Sequence, residues 1–127
     1  MSKVKINGNE YELLFNGSAM FKMRELYGDD NIAELLEGQT AITFQRTCKL
    51  AVILAEQGEL LRRWLGHDQK EMLTEELLRL SLSPVGFLHL KNAVFDAVYE
   101  GYAREVKDEN EEIDLGLAEL NKKKVTH

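Results

Sequence analysis

The sequence predicts a mainly α, α+β fold, with an N-terminal β-hairpin followed by a helical, bundle-like body of about four to six helices. Two observations lead to this class. Near the N-terminus, apolar residues alternate with polar ones on both sides of an Asn-Gly pair, which is the pattern of a two-stranded hairpin. Further along, apolar residues recur every three or four positions, which indicates helices that bury one face.

The hairpin is predicted over residues 3–7 and 10–15. Asn7-Gly8 lies between the two runs, and the tight turn that joins such strands needs positive φ at both central positions, which Asn and Gly tolerate. Lys3 and Lys5 are expected to face water. Because a lone hairpin is only marginally stable, we expect its apolar face to pack against helices.

Capping residues predict where the first helices begin and end. Ser18 or Asn16 can accept hydrogen bonds from the free amides of a first helix, which Gly28 ends in a left-handed conformation. Residues 29–31 supply a cap for a short amphipathic turn that Gly38 closes.

The next helix is predicted to be the central core element. Thr40 opens it, and residues 41–56 are apolar on nearly all faces, as in a buried helix. Gly58 is expected near its end. Leu60, Leu61, Trp64 and Leu65 then suggest a separate helical stretch.

Apolar residues continue a helical pattern over residues 72–82 and predict a further helix there. Ser83 and Pro84, the only proline, mark the start of the longest helix, because serine caps and proline suits the first helical position. This helix is predicted over roughly residues 84–107. Residues 1–107 are therefore predicted to form a single globular domain.

Residues 108–127 are predicted to form a loosely ordered C-terminal tail, acidic and then basic. Five acids fall within residues 108–114, three lysines follow at 122–124, and Gly116 is expected to interrupt any helix. The apolar residues between the two charge blocks could dock into a partner's groove and fold on contact, or pack back on the domain, or belong to a longer helix. The candidate partner-binding residues are Ile113, Leu115, Leu117 and Leu120.

Charge and hydropathy restrict the possible partners and the compartment. The chain has 22 acids against 16 bases, a net charge of −6, which disfavours binding to nucleic acid and to anionic membranes. The longest strictly apolar run, residues 50–55, is far shorter than the roughly 20 residues of a membrane span. With Cys48 as the only cysteine, no internal disulfide can form, so we expect a cytoplasmic protein.

No catalytic, cofactor-binding or metal-binding residue is predicted, so the chain is not expected to be an enzyme. His67, His89 and His127 lack the spacing of a helical metal site. Cys48 lies on an apolar stripe, where a small buried side chain is expected rather than a nucleophile. Neither of the common glycine-rich phosphate loops occurs.

The N-terminal residues resemble a known family. Val4-Lys5-Ile6-Asn7-Gly8-Asn9-Glu10-Tyr11-Glu12-Leu13, then Phe15 and then Met23-Arg24-Glu25-Leu26-Tyr27-Gly28, are similar to the start of the tail assembly chaperones of long-tailed phages and prophages. Those proteins typically begin with an I-N-G-x-x-Y-x-L-x-F hairpin, followed by a helix with a closing glycine and a mostly helical body. They often carry an aromatic residue such as tryptophan in the middle helix, where this chain has only Phe44, and Trp64 comes later.

The resemblance implies a function in the cytoplasm of a bacterial host. Chaperones of this family bind the long, apolar, helical tape-measure protein and keep it soluble until tail-tube subunits replace them. Two other functions stay open at this point: a structural connector or completion protein of the virion, and a small regulatory protein that binds host factors. The tape-measure protein, and possibly the tail-tube protein, are the expected partners.

Overall fold

In a computed structural model, residues 2–28 and 31–120 are described, with side chains up to residue 103. In this part of the chain an antiparallel hairpin precedes five helices, which confirms the predicted fold class. Strand β1 spans Ser2–Ile6 and strand β2 spans Asn9–Leu13. Asn7 and Gly8 have φ values of 52° and 84°, the left-handed backbone that the Asn-Gly turn predicts.

The first two helices are short and begin at asparagine caps. Helix α1 spans Gly17–Tyr27, and the Asn16 side chain, rather than Ser18, accepts a hydrogen bond from the Ala19 amide at 3.0 Å. Gly28 ends α1 with φ 67°, as predicted. Helix α2 spans Ile32–Leu35 behind the Asn31 cap.

Helix α3 spans Ala41–Trp64 and is capped by Thr40 as predicted. It is continuous through Gly58, so the predicted end near residue 56 and the separate helix at 60–65 are wrong. A Cβ atom at Gly58 would overlap the main-chain carbonyl of Glu12 in β2. The glycine therefore allows the close approach of a strand and does not end the helix.

Helix α4 spans Glu75–Ser81, shorter than the pattern over residues 72–82 predicted. The Thr74 hydroxyl accepts a hydrogen bond from the Leu77 amide at 3.1 Å and sets the start of the helix. Leu73 precedes that cap and still reaches the core, with 3% of its surface exposed. Leu73 therefore packs in the core from a loop, although its spacing in the sequence predicted that it belongs to the helix.

Helix α5 spans Pro84–Leu120. The Ser83 hydroxyl accepts from the Gly86 amide at 3.1 Å, which confirms the predicted cap. The helix passes the predicted end at residue 107, and the expected interruption at Gly116 is wrong, because one glycine inside a helix costs only about 1 kcal/mol relative to alanine. Residues 108–120 of the predicted loose tail thus lie in a helix, and residues 121–127 are outside the described part.

The hairpin joins the body where β2 and the residues after it pass between α3 and α5. The Leu14 amide donates to the Leu54 carbonyl in α3 at 3.0 Å. On the other side, a Cβ atom at Gly101 in α5 would overlap the Phe15 carbonyl. The apolar side chains of the hairpin and the helices meet around this crossing in one core, whose largest fully buried apolar members include Ile6, Leu13, Met23, Leu36, Leu54, Leu78, Leu90, Val94 and Val98.

Candidate partner-binding surface

The residues with possible catalytic or metal chemistry lie apart from one another. Cys48 is 2% exposed in the core, as expected for a small apolar residue. Burial raises the pKa of its thiol, and the carboxylate of Glu75 adds to that effect. His67 and His89 are both exposed. Among the side chains that the structure describes, no group of three or more His, Cys, Asp or Glu residues could hold a metal ion.

One carboxylate, Glu59, lies at the centre of a buried polar cluster that the sequence analysis missed. Its side chain is 8% exposed, and its two oxygens accept from Arg62 at 2.8 Å and from Arg63 at 3.0 Å. The amide of Lys70 donates to the same carboxylate at 2.7 Å. Arg62 also approaches Glu12 of β2 at 3.5 Å. The cluster thus joins α3 to the hairpin and to the loop of residues 66–74.

The surroundings of Glu59 keep it ionised. Burial alone would raise its pKa, but the hydrogen bonds from the Lys70 amide, Arg63 and Arg62 outweigh burial and hold the pKa below its usual range. Both arginines also donate to loop carbonyls, those of Asp68 and Lys70, at 3.0 Å each. Glu59 bonds to Arg62, Arg63 and the Lys70 amide, so its role is to hold the loop of residues 66–74 against α3. The spacing of arginines at i+3 and i+4 was the available sequence signal.

Apolar residues recur along one face of helix α3, where both ends of that face are exposed to solvent and Ile53 between them is buried. Ile42, Ile53, Leu60 and Trp64 follow one another at intervals of 11, 7 and 4 residues, which places them on one helical face. Ile42 and Leu60 are exposed, Ile53 is buried, and Trp64 is 86% exposed. We name these four residues the α3 stripe; it extends over roughly 33 Å of helix, with Arg46 and Lys49 on the same face between Ile42 and Ile53.

The middle of the α3 stripe forms the floor of an open groove between α1 and α4. Leu26 of α1, Val52 and Ile53 supply its apolar lining, in a volume of about 380 Å³. An ion pair bounds each side: Lys22 with Glu56 at 2.6 Å towards α1, and Lys49 with Glu75 at 3.4 Å towards α4. An apolar floor between charged rims suits recognition of an amphipathic helix.

A second open cleft separates the hairpin from α4 and the loop before it. Tyr11 and Met72 are half-buried in this cleft, and Leu80, on α4, is 81% exposed at its edge. Glu71 and Glu76 lie beside them. This cleft is more polar than the groove over α3, so the groove is the better candidate for an apolar partner.

The residues predicted to bind a partner, Ile113, Leu115, Leu117 and Leu120, lie in α5. Their backbone is helical, and their side chains lie outside the part of the chain whose side chains are described. Their proposed role therefore stays a prediction. The α3 stripe was missed because Leu60 and Trp64 were assigned to a separate helix, whereas the spacing from Ile42 to Trp64 along a single helix would have indicated it.

Comparisons with known proteins returned no relative for this chain. No family model, no curated protein and no solved structure matches it. Among the described residues, no helix is both long enough and apolar enough to cross a membrane.

Proposed function

We propose that this protein is a tail assembly chaperone of a long-tailed phage or prophage, which binds apolar helical segments of the tape-measure protein. The observation that carries the proposal is the exposure of Trp64, 86% in the chain alone, at the end of the α3 stripe. The resemblance of residues 4–28 to the family supports the same conclusion. Large exposed apolar surfaces in a small protein usually mark an interaction site.

The binding mode would be a partner helix lying along the α3 stripe. Its apolar face would cover Leu60 and Trp64 and would contact the groove floor at Val52 and Ile53. Tryptophan is enriched among interface residues whose truncation costs about 2 kcal/mol or more. The half-exposed Leu26 would add contact from the wall formed by α1.

Charge would keep the complex dispersed. The net charge of −6 makes copies of the chain repel one another. A tape-measure protein covered by many such copies would carry that negative charge along its length. Apolar adhesion and charge repulsion would thus act together: the first holds the partner, and the second prevents the complexes from aggregating.

Co-expression with a tape-measure protein tests the proposal. The tape-measure protein should move from the insoluble to the soluble fraction only when this chain is present. The proposal fails if the partner is equally insoluble with and without it. A structural connector would instead remain in purified particles, from which a chaperone is absent.

A matched pair of variants tests the surface itself. Leu60→Ser removes a residue of the α3 stripe, while Leu80→Ser makes the same change at an exposed position of α4 outside the groove. Leu60→Ser and Trp64→Ser should reduce the recovery of soluble tape-measure protein, and Leu80→Ser should leave it unchanged. If all three variants recover the same amount of soluble tape-measure protein, the partner binds a surface other than the α3 stripe.

A further inference from the structure

The first part of α5, residues 84–103, has a second set of apolar residues besides those that pack on the body. Its buried residues are Leu90, Val94, Ala97, Val98 and Gly101. The second set recurs at intervals of 3, 4, 3 and 4 positions, which is the heptad spacing of helices that pair along a seam. We name these residues the α5 seam: Val85, Leu88, Asn92, Phe95 and Tyr99.

The α5 seam lies on the solvent side of the helix. At 3.6 residues per turn, its mean direction is about 150° away from that of the buried residues. Val85 and Tyr99 are 59% and 55% exposed. Leu88 and Phe95 are half-buried, and the rings of Phe95 and Tyr99 stack with their centroids 6.0 Å apart. A contiguous run of large, partly exposed apolar side chains marks a surface that another molecule covers.

Two charged residues beside the α5 seam are complementary to each other across a pair of such helices. Lys91 lies at heptad position g, and Asp96, five residues later, lies at position e of the next heptad. In a parallel pair of helices these two positions of opposite copies are neighbours, so each Lys91 meets the Asp96 of the other copy. The Lys91 ammonium donates to the Gly38 carbonyl at 2.8 Å and has two further N–H donors for a carboxylate. The charges therefore fit a second copy of this chain.

Asn92 favours the parallel orientation of the two copies. In a parallel, two-fold pair Asn92 lies at heptad position a opposite the same residue of the other copy, and the two side-chain amides can bond to each other. In an antiparallel pair, a positions face d positions, so the amide would be buried against an apolar residue such as Leu88 or Phe95, which is unfavourable. A single asparagine at an a position is a known determinant of register in paired helices.

We propose that the α5 seam is a dimer interface, in which it pairs in parallel with the same seam of a second copy. The seam covers about two heptads, which is short for an isolated coiled coil. However, α5 is already held in a helix by the body, so pairing requires little further ordering of the backbone.

The dimer leaves the α3 stripe accessible. Phe87 of α5 stacks on Phe44 of α3 with centroids 4.9 Å apart. Phe44 lies about half a turn around α3 from the α3 stripe, so α5 packs on the other side of that helix. The inference is separate from the proposed function, because it needs no tape-measure protein.

The mass of the full chain in solution tests the proposal. In sedimentation equilibrium over a wide concentration range, the mass should rise from 14.5 kDa towards twice that value. Tyr99→Ser should hold the mass at that of one chain. Leu80→Ser, which removes an exposed apolar side chain from α4, should leave dimerisation unchanged. A single-chain mass of the parent at every concentration overturns the proposal, as does a dimer that Tyr99→Ser leaves intact.

Exchange of the two charges tests the pairing without altering an apolar residue. Lys91→Glu alone and Asp96→Lys alone should each raise the Kd of the dimer by about tenfold, because two symmetry-related ion pairs become repulsive. The double variant should recover most of the parent's affinity. Residues five apart do not face each other within one helix, so recovery arises only between copies. A double variant as weak as the single variants contradicts the parallel arrangement.

Disulfide formation tests the orientation. In a parallel pair, Asn92→Cys places a thiol beside the same thiol of the other copy, so mild oxidation should join the two chains. Cys48 is buried and can stay in place. Gln45→Cys, at an exposed position of α3, is the control and should stay unjoined. A sample that is dimeric by mass but forms no Asn92→Cys disulfide overturns the parallel pair. None of these measurements contains the tape-measure protein, so they can fail while the proposed function stands.

Discussion

Gly58 of α3 packs so closely against the main-chain carbonyl of Glu12 in β2 that only a hydrogen atom fits where another residue has its Cβ atom. Gly101 in α5 has the same relation to the carbonyl of Phe15. The chain from residue 12 to residue 15 is therefore held between two helices that approach its backbone from opposite sides. This crossing fixes the hairpin on the helical body.

Gly58→Ala should destabilise the fold. The added methyl group meets backbone, which cannot rotate away, and overpacking of this kind costs about 1–3 kcal/mol or more. Alanine favours a helix by about 1 kcal/mol over glycine. The measured loss of stability is therefore the cost of overpacking minus this gain in helix propensity. The free energy of unfolding from urea titration is the measurement.

Gly17→Ala is the control for that experiment. Gly17 begins α1, and a Cβ atom there meets nothing within 4 Å. The free energy of unfolding of the Gly17→Ala variant should stay the same or rise by up to about 1 kcal/mol. If both variants behave alike, the close approach of β2 to α3 is wrong.

Glu59→Gln should also destabilise the protein. The substitution keeps the shape of the side chain but replaces charge-assisted hydrogen bonds from Arg62, Arg63 and the Lys70 amide with weaker ones, for a loss of about 1.5–3 kcal/mol. Glu56→Gln, one turn earlier, disrupts only the half-exposed pair with Lys22 and should cost about 1 kcal/mol or less. Chemical denaturation of both variants at neutral pH gives the comparison.

The contribution of Glu59 to the stability of the fold should decrease in acid. Its folded-state pKa lies below the reference value of 4.5, so its contribution to stability is complete above that value. The contribution falls as the pH is lowered through the folded-state pKa, because the unfolded chain then binds the proton more readily. The stability difference between the parent and Glu59→Gln should therefore shrink below pH 4.5. A difference that grows in acid would contradict this assignment.

Cys48 should be chemically silent in the folded protein. Its thiol is buried, and burial raises its pKa above the reference value of 9.0, so little thiolate forms at neutral or mildly alkaline pH. A thiol reagent such as a maleimide should label the native chain only at the rate at which the structure opens, and should label the urea-unfolded chain rapidly. Equal rates in both states would place Cys48 at the surface.

Trp64, as the only tryptophan, makes intrinsic fluorescence a direct probe of the α3 stripe. The native emission should resemble that of indole in water, and acrylamide should quench it almost as well as it does in the unfolded chain. Trp64→Ser should change the free energy of unfolding by no more than about 0.5 kcal/mol, as for other surface positions. Strong protection from acrylamide would mean that the stripe is already covered.

The features that depend on local chemistry could be predicted from the sequence. Asn7-Gly8, Thr40, Gly28 and Ser83 each act through neighbours within a few residues, so their patterns sufficed for the turn and the caps. Gly58 could not be interpreted in this way, because its role depends on a strand that passes α3 from more than 40 positions earlier in the chain. A glycine required by tertiary packing and a glycine that stops a helix look the same in sequence.

The candidate site was predicted less completely for the same reason. Since Gly58 was taken as a stop, Ile42 and Trp64 fell into different predicted helices, and the stripe that joins them was lost. Glu59 was missed because its partner, the Lys70 amide, belongs to a loop whose path is set by tertiary structure. The partner-binding role predicted for the apolar residues of α5 beyond the body stays a prediction.

The proposed function requires that the α3 stripe be the surface that holds an apolar helix. The direct measurement is the emission of Trp64 during titration with a helical, apolar peptide from the tape-measure protein. The emission maximum should shift to shorter wavelength and saturate as the indole leaves water. An emission maximum that stays at the value of exposed indole up to saturating peptide would contradict the account.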